Sequence, residues 1–323
     1  MARELDHPFV IAVVGPTGSG KSTLADRLAQ QFGSCVISAD SMQIYQGLDI
    51  GTAKIPKSEQ HAPHYGIDII DLDQPYSVAE FQTYARELID HYRAQGKCPI
   101  LCGGTGLYVR GALDVMNFPL GSQVENKMRE KWLCYLDENG EEALIEQLKE
   151  RDALSAELID PHNHKRVIRA LEMWETGDSY YQQALHFKER IPYYDTCYIG
   201  LTLPREELYD RINTRVDRMI SHGLVEEVRH LKARGLAGTY TAQHAIGYKE
   251  LFSYLDSQGT LEDAIEEIKK HSRQYAKRQL TWFRGDERIQ WIESSNGDIA
   301  VMTDRANEII ERFVRGERNE YLV

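Results

Sequence analysis

The residues best suited to chemistry lie in a glycine-rich loop near the start of the chain. Residues 15–22 read Gly-Pro-Thr-Gly-Ser-Gly-Lys-Ser and match the pattern G-x-x-x-x-G-K-[ST] between an apolar run and a helical pattern. In such a loop, backbone N–H groups and the helix N-terminus face an anion, while the lysine adds charge and the final hydroxyl can hold Mg²⁺. The pattern predicts a phosphate site whose residues are Gly15, Thr17, Gly18, Ser19, Gly20, Lys21 and Ser22.

Two more polar residues follow predicted strands. Asp40 comes after the strand predicted at 35–39, and Thr105 lies in the Gly-Gly-Thr-Gly turn after the strand predicted at 99–102. Ligands of open α/β sheets lie at this carboxyl edge. Asp40 can serve there as a metal ligand, a helix cap or a general base, and the turn containing Thr105 can be a plain strand-to-helix connection. No acidic residue ends the 99–102 strand, so the usual metal-binding aspartate of P-loop NTPases is absent there.

The elements that must position these residues alternate along the first third of the chain. Strands at 9–14, 35–39 and 99–102 are separated by helices at 22–32 and 76–94, which indicates a parallel sheet, and a further strand is predicted at 197–203. We predict the α/β class, with a P-loop NTPase-like parallel sheet flanked by helices and a helical C-terminal region. Residues 1–120 and 191–323 form this core, and 121–190 form an inserted all-helical subdomain.

Composition narrows the function classes. The chain has 323 residues, a net charge of −12 and five scattered cysteines without a C-x-x-C pair. We expect reduced thiols rather than disulfides or a zinc site. The mean hydropathy is −0.49 and the longest apolar run has six residues, so we expect no membrane span and a cytoplasmic protein.

One segment opposes the acidic average. The window 269–288 contains seven Lys or Arg residues against two acidic ones, so it carries +5 and the rest of the chain −17. Tyr275, Trp282 and Phe283 are interleaved with these charges, a pattern suited to contacting and stacking on single-stranded nucleic acid. An amphipathic helix with its aromatic residues in the core explains the same pattern.

Taken together, the motifs resemble the tRNA dimethylallyltransferases of the IPP transferase family, bacterial type. The resemblance runs from residue 15 to about residue 284. Besides the phosphate loop, the matching stretches are Asp40–Tyr45, Asp49–Lys54, Gly103–Tyr108, Lys165–Glu172, Arg215–Met219, Ile246–Glu250 and Arg273–Trp282.

The resemblance implies transfer of a dimethylallyl group from dimethylallyl diphosphate to N6 of adenine 37 in tRNA. It implies that Asp40 is the general base, that Thr105 lies at the bridging oxygen, and that Arg215 joins Lys21 on the diphosphate. Mg²⁺ bound through Ser22 is the implied cofactor, the 121–190 insertion contacts the anticodon stem-loop, and we expect a monomer. The residues matched to tRNA contacts are Asp40, Ser41, Met42, Gln43, Thr105, Lys165, Arg166, Val167, Ile168, Arg169, Arg273, Lys277 and Arg278.

Two other functions fit part of the sequence. A P-loop kinase of a small molecule or nucleotide would bind ATP in the loop and use Asp40 as the base for a phosphoryl acceptor. An NTP-gated RNA-binding protein would use the loop as a switch. The kinase function leaves the helical insertion and the basic window 269–288 unexplained. Tight ATP binding without binding of dimethylallyl diphosphate would favour either of the two functions.

Overall fold

The computed structural model describes residues 8–118, 127–294 and 297–317, which form two compact units. One unit comprises the chain up to Leu113 and from Pro192 onward, and the other comprises Asp114–Ile191. The predicted boundary at residues 120 and 121 lies outside the described residues, as do residues 1–7, the start of the predicted core. In the described ranges, no helix is long and apolar enough to cross a bilayer.

A parallel sheet of six strands occupies the centre of the larger unit. The strands in chain order are β1 (Val10–Val14), β2 (Val36–Ser38), β3 (His64–Tyr65), β4 (Ile100–Gly103), β5 (Thr196–Thr202) and β6 (Gln290–Glu293). Their spatial order is β3-β2-β4-β1-β5-β6, and every neighbouring pair is parallel. Helices cover both faces of such a sheet, which explains why β1 is apolar and buried at all five positions.

Both units contain helices. In the first part of the larger unit they are α1 (Lys21–Gln31), α2 (Val78–Arg93) and α3 (Gly106–Leu113). The smaller unit contains α4 (Lys127–Arg151), α5 (Ala153–Leu158), α6 (His164–Glu175) and α7 (Tyr180–Lys188). The chain then adds α8 (Arg205–Ser221), α9 (Leu224–Ala233), α10 (Lys249–Leu255), α11 (Leu261–Arg284) and α12 (Ile299–Val314).

The two faces of the sheet pack into separate apolar clusters. Val10, Ala12 and Val14 of β1 join residues of α2 and α3, whereas Ile11 and Val13 join residues of α1 and α12. This alternation is the two-residue period of a strand. The sheet is therefore fixed between two helical layers, and its carboxyl edge is free to carry loops.

The predicted α/β class with a parallel sheet is confirmed, and each predicted strand is present within one or two residues of its expected ends. The sequence did not predict β3 and β6. β3 has only two residues, and β6 is the mixed segment Gln-Trp-Ile-Glu, so neither has an apolar run long enough to indicate a strand.

The smaller unit has its own core. Trp132, Leu144 and Leu148 of α4 pack against Leu171 and neighbouring residues of α6. Gly140 interrupts α4 with a φ of 82°, which lets the chain bend between the two halves of that helix.

Gly103, the last residue of β4, offers a test of the packing at the carboxyl edge. A Cβ atom at this position would lie 2.1 Å from the carbonyl oxygen of Ala39, so backbone would have to move. We expect Gly103→Ala to lower the free energy of unfolding by about 1–3 kcal/mol or more in urea titrations. Gly238→Ala, where a Cβ atom meets nothing within 4 Å, is the control and should be near neutral. Equal effects of the two variants would contradict this packing.

Candidate active site

Three neighbouring strands deliver the predicted chemical groups to one edge of the sheet. The phosphate loop follows β1, Asp40 follows β2, and the turn containing Thr105 follows β4. Beyond the strands, the Ala39 N–H donates to the carbonyl of Cys102 (2.8 Å) and the Thr105 N–H donates to that of Ala39 (3.1 Å). A cavity of about 520 Å³ lies at this edge, lined by Thr17, Lys21, Ser22, Asp40, Ser41, Met42, Gln43 and Arg215 among others.

The phosphate loop has the backbone that an anion site requires. Gly20 precedes α1 with a φ of 87°, a left-handed conformation that favours glycine. Lys21 Nζ donates to the carbonyl of Pro16 (3.1 Å), which holds the ammonium over the loop. Ser19 Oγ is buried and has no hydrogen-bond partner within the described residues, so its hydroxyl is available to an anion.

Arg215 reaches the loop from α8. Its guanidinium donates to Thr17 Oγ1 at 2.8 Å and lies 3.5 Å from the carbonyl oxygen of Thr52. Burial lowers the pKa of Lys21, and the positive charge of Arg215 adds to this effect, while Cys102 and Asp40 oppose it. Two cations held this close repel each other, and an anion between them removes the repulsion.

Asp40 and Thr105 are joined through Ser41. The Ser41 N–H donates to Thr105 Oγ1 (3.1 Å), and Thr105 Oγ1 donates to Ser41 Oγ (3.3 Å). Asp40 Oδ1 accepts from the Met42 N–H (2.9 Å), forming a local turn rather than a helix cap. Asp40 Oδ2 accepts no hydrogen bond from the described residues, so it is available to take a proton from a ligand.

Gln43 braces the same loop. Its Oε1 accepts from Ser38 Oγ (2.8 Å) and its Nε2 donates to the carbonyl of Thr52 (3.1 Å), which leaves one N–H for a ligand. The loop 49–54 is itself anchored by Glu227, whose carboxylate accepts from the N–H groups of Ile50 and Gly51.

Apolar side chains form part of the remaining wall of the cavity, beside polar ones such as His244 and Gln274. Ile55, Ile67, Val216, Met219 and Ile246 contribute to its walls. A site that combines a cationic loop, one carboxylate and apolar walls suits a ligand with an anionic head and a hydrocarbon part.

The basic residues predicted to contact tRNA on α11 have different surroundings. Arg273 donates to Asn213 Oδ1 (2.6 Å), Lys277 is exposed, and Arg278 is exposed at the cavity. Of the aromatic residues on this helix, Tyr275 lines the cavity, whereas Phe283 is buried in the sheet core and has no surface for stacking on RNA.

The segment 165–169 of the insertion also contains both exposed and buried residues. Lys165 and Arg166 are exposed, and Arg169 pairs with the buried Glu172 (3.3 Å). Val167 and Ile168 are 1% and 3% exposed in the core of the smaller unit. A contact of these two residues with tRNA is therefore not made through their side chains. The resemblance covers the whole segment, whereas only one face of this helix is exposed.

Sequence reasoning missed Gln279 on α11, which is 4% exposed. Its Oε1 accepts from the Thr17 N–H (2.8 Å), and its Nε2 donates to the carbonyl of Gly104 (3.0 Å). The signal in the sequence is its position: Ala276, Gln279 and Phe283 fall at helical spacing on the buried face, and a glutamine there must find buried partners.

The residues at the phosphate loop include oxygen ligands of the type that a magnesium ion prefers. The hydroxyl of Ser22 is a hard oxygen of the kind that magnesium prefers, and Asp40 places a carboxylate in the same cavity. Within the described ranges, no group of three or more His, Cys, Asp or Glu side chains is arranged to hold a metal. An ion at this site would complete its shell with phosphate oxygens and water.

Comparisons with known proteins agree on one family. The model for IPP transferase matches residues 43–286, and that for isopentenyl transferase matches residues 8–63. The tRNA dimethylallyltransferase of Anoxybacillus flavithermus is 44% identical over 95% of this chain and 96% of its own length. That of Thermoanaerobacter pseudethanolicus is 47% identical over 88% and 91%.

Solved structures give the same result. The tRNA delta(2)-isopentenylpyrophosphate transferase of Staphylococcus epidermidis is 41% identical, with a TM-score of 0.69 over 94% of this chain and 99% of its own. A eukaryotic dimethylallyltransferase acting on tRNA is 29% identical, with a TM-score of 0.82 over 98% of this chain and 81% of its own.

The lowered pKa of Lys21 predicts how anion binding depends on pH. Below this pKa the ammonium is charged and attracts an anion; above it the charge is lost. As the pH is raised, the affinity for inorganic diphosphate, measured by calorimetry, should therefore begin to decrease before the pH reaches 10.5, the ordinary pKa of lysine. Lys21→Arg is the control, because arginine remains charged over this range. Any change that comes from the titration of diphosphate itself is the same for both proteins. A decline of the same size in both proteins would exclude Lys21 as its source.

Proposed function

Since this chain belongs to the IPP transferase family, we propose that it transfers the dimethylallyl group of dimethylallyl diphosphate to N6 of adenine 37 in tRNA. The observation that carries the proposal is the shared cavity. A carboxylate with an available oxygen, Asp40, lines the same cavity as the phosphate loop and Arg215. A phosphate loop alone would suit many reactions, whereas this combination serves a diphosphate leaving group and a weakly acidic nucleophile together.

The diphosphate would lie on the phosphate loop. Lys21, Arg215 and the loop N–H groups supply positive charge and hydrogen bonds, and the buried hydroxyl of Ser19 adds a donor. The apolar part of the cavity wall suits the five-carbon chain. Binding at the two ends fixes where carbon C1 points.

In the reaction, the bond between C1 and the bridging oxygen breaks and the bond between N6 and C1 forms. The proton leaves N6 for Asp40, and diphosphate carries away the electron pair of the broken bond. Adenine N6 is a poor nucleophile because its lone pair is conjugated with the ring, so a base that accepts its proton is needed. The available Oδ2 of Asp40 supports that role.

Thr105 would donate to the bridging oxygen as negative charge develops there. In the protein alone its hydroxyl donates to Ser41 Oγ, so it would rotate toward the ligand while still accepting from the Ser41 N–H. We propose Mg²⁺ as the cofactor, held by Ser22 and the diphosphate; when bound, it neutralises charge on the leaving group.

For the acceptor, we propose that adenine 37 is turned out of the anticodon loop into the cavity. Unstacking one base costs a few kcal/mol, and contacts around Asp40, Ser41, Met42 and Gln43 would offset it. Lys277 and Arg278 on α11, and Lys165, Arg166 and Arg169 on the insertion, are the proposed phosphate contacts. Under this proposal the protein acts as a monomer in the cytoplasm.

The direct test of the activity uses the unmodified substrate. The protein is incubated with Mg²⁺, dimethylallyl diphosphate and tRNA lacking the modification, and the nucleosides are then weighed by mass spectrometry. We expect adenosine that is heavier by one dimethylallyl group, and ribonuclease fragments of the same tRNA should carry the added mass only where they contain position 37. Phosphorylated product from ATP in place of prenylated adenosine would support the kinase function instead.

Asp40→Asn tests the base. An amide is nearly the same size but does not accept the N6 proton, so kcat should fall by about 10²–10⁴-fold while the affinity for dimethylallyl diphosphate stays within a few-fold. Asp73→Asn, at an exposed position away from the cavity, is the matched control. Turnover of Asp40→Asn equal to that of the control would remove Asp40 from the reaction.

Thr105→Ala tests the donor to the bridging oxygen. Loss of one such donor should lower kcat by about 10²-fold or more, and Thr105→Ser, which keeps the hydroxyl, should recover most of that loss. A rise in KM with kcat unchanged would show that Thr105 binds the ground state and the transition state equally.

A further inference from the structure

We propose that Gln279 is a positioning residue that fixes the spacing between the phosphate loop and the turn containing Thr105. This inference rests on the proposed function and adds a residue to it. The Gln279 amide bridges two segments that are remote in sequence: its Oε1 accepts from the Thr17 N–H at 2.8 Å, and its Nε2 donates to the Gly104 carbonyl at 3.0 Å. Its 4% exposure shields both hydrogen bonds from water.

The chemistry of these two partners calls for an amide. One partner is a backbone donor and the other a backbone acceptor, and the neutral planar groups that offer both an acceptor and a donor are the amides of glutamine and asparagine and the neutral histidine ring. A carboxylate would set negative charge against the Gly104 carbonyl and near the diphosphate. An ammonium would leave the Thr17 N–H without an acceptor.

The turn after β4 packs directly on α11, so this helix sets the position of the turn. A Cβ atom on Gly104 would lie 2.0 Å from Gln279 Nε2, and one on Gly106 would lie 2.1 Å from Trp282 Nε1. Both glycines allow a close approach that any side chain would prevent. Through its hydrogen bond with the Thr17 N–H, Gln279 also fixes the phosphate loop relative to α11.

Each end of the bridge lies next to a group with a proposed role in the reaction. Thr17 accepts from Arg215 through its side chain while its N–H is held by Gln279. Gly104 directly precedes Thr105. The bridge therefore connects the part of the site that holds the diphosphate with the hydroxyl proposed to serve its bridging oxygen, and a misplacement of about 1 Å between such groups can cost about 10²-fold in rate.

Tyr275, one helical turn before Gln279, faces the same groups. Burial and the negative charge of Asp40 raise the pKa of Tyr275 to about 12, although interactions with Thr105 and Gln279 oppose the rise. The phenol is therefore neutral at physiological pH. One face of α11 thus presents two uncharged polar side chains to the site, which positions the Thr105 turn without adding charge beside the leaving group.

The test uses Gln279→Met, which keeps the length of the side chain and removes both hydrogen bonds, and Gln279→Glu, which keeps an acceptor for the Thr17 N–H. Gln31→Met is the matched control, because Gln31 also bridges distant segments, but on the surface through Asn307. Thermal unfolding of each variant reports folding, and Gln279→Glu carries the test if Gln279→Met does not fold.

We expect two results for Gln279→Met and none for the control. The affinity for inorganic diphosphate, measured without tRNA, should weaken by about tenfold because the phosphate loop loses a buried partner. The single-turnover rate with saturating donor and tRNA should fall by about 10²-fold. Gln279→Glu should keep more of the rate than Gln279→Met at low pH, where its carboxyl is protonated and can again donate, and lose that advantage as pH rises.

The decisive readout is a double-mutant cycle with Thr105→Ala. If Gln279 acts by positioning Thr105, the double variant should be far less impaired than the product of the two single effects, because Thr105 is already absent. Multiplicative effects, or an unchanged diphosphate affinity, would overturn the inference. Weakened diphosphate binding in Gln279→Met, together with no prenylated adenosine from the unmutated protein, would instead contradict the proposed function alone.

Discussion

The site depends on the register of three parallel strands. Val14 of β1 pairs with Gly103 of β4, and Ser38 of β2 pairs with Cys102, so the three strands end at one level and their loops meet. Hydrogen bonds beyond the strand ends continue the pairing into the loops that hold Asp40 and Thr105. A shift of one strand by one residue would reverse its side chains and separate the carboxylate from the cationic loop.

Charge is distributed unevenly over the chain. The chain is acidic overall, with −12, yet two cations, Lys21 and Arg215, are brought together at the cavity without a carboxylate bonded to either in the described residues. That arrangement is costly for the protein alone and favourable with a diphosphate bound. The acidic remainder disfavours indiscriminate contact with nucleic acid, so recognition of tRNA would rely on local basic groups.

Much of this could be predicted from the sequence, for physical reasons. The phosphate loop, Asp40 and Thr105 are local signals, since each directly follows an apolar strand. Gln279 could not be assigned in this way, because its partners lie 262 and 175 residues away and only the fold brings them together. That the side chains of Val167 and Ile168 are buried could not be predicted for a related reason: a matching segment does not say which of its side chains face outward.

The most direct measurement of the central claim is the structure of the protein with an anticodon stem-loop and an unreactive thio analogue of dimethylallyl diphosphate. We expect the diphosphate on residues 15–22, adenine N6 about 3–3.5 Å from carbon C1, and a carboxylate oxygen of Asp40 within about 2.6–3.2 Å of N6. A diphosphate bound elsewhere, or an adenine whose N6 is out of reach of Asp40, would contradict the account.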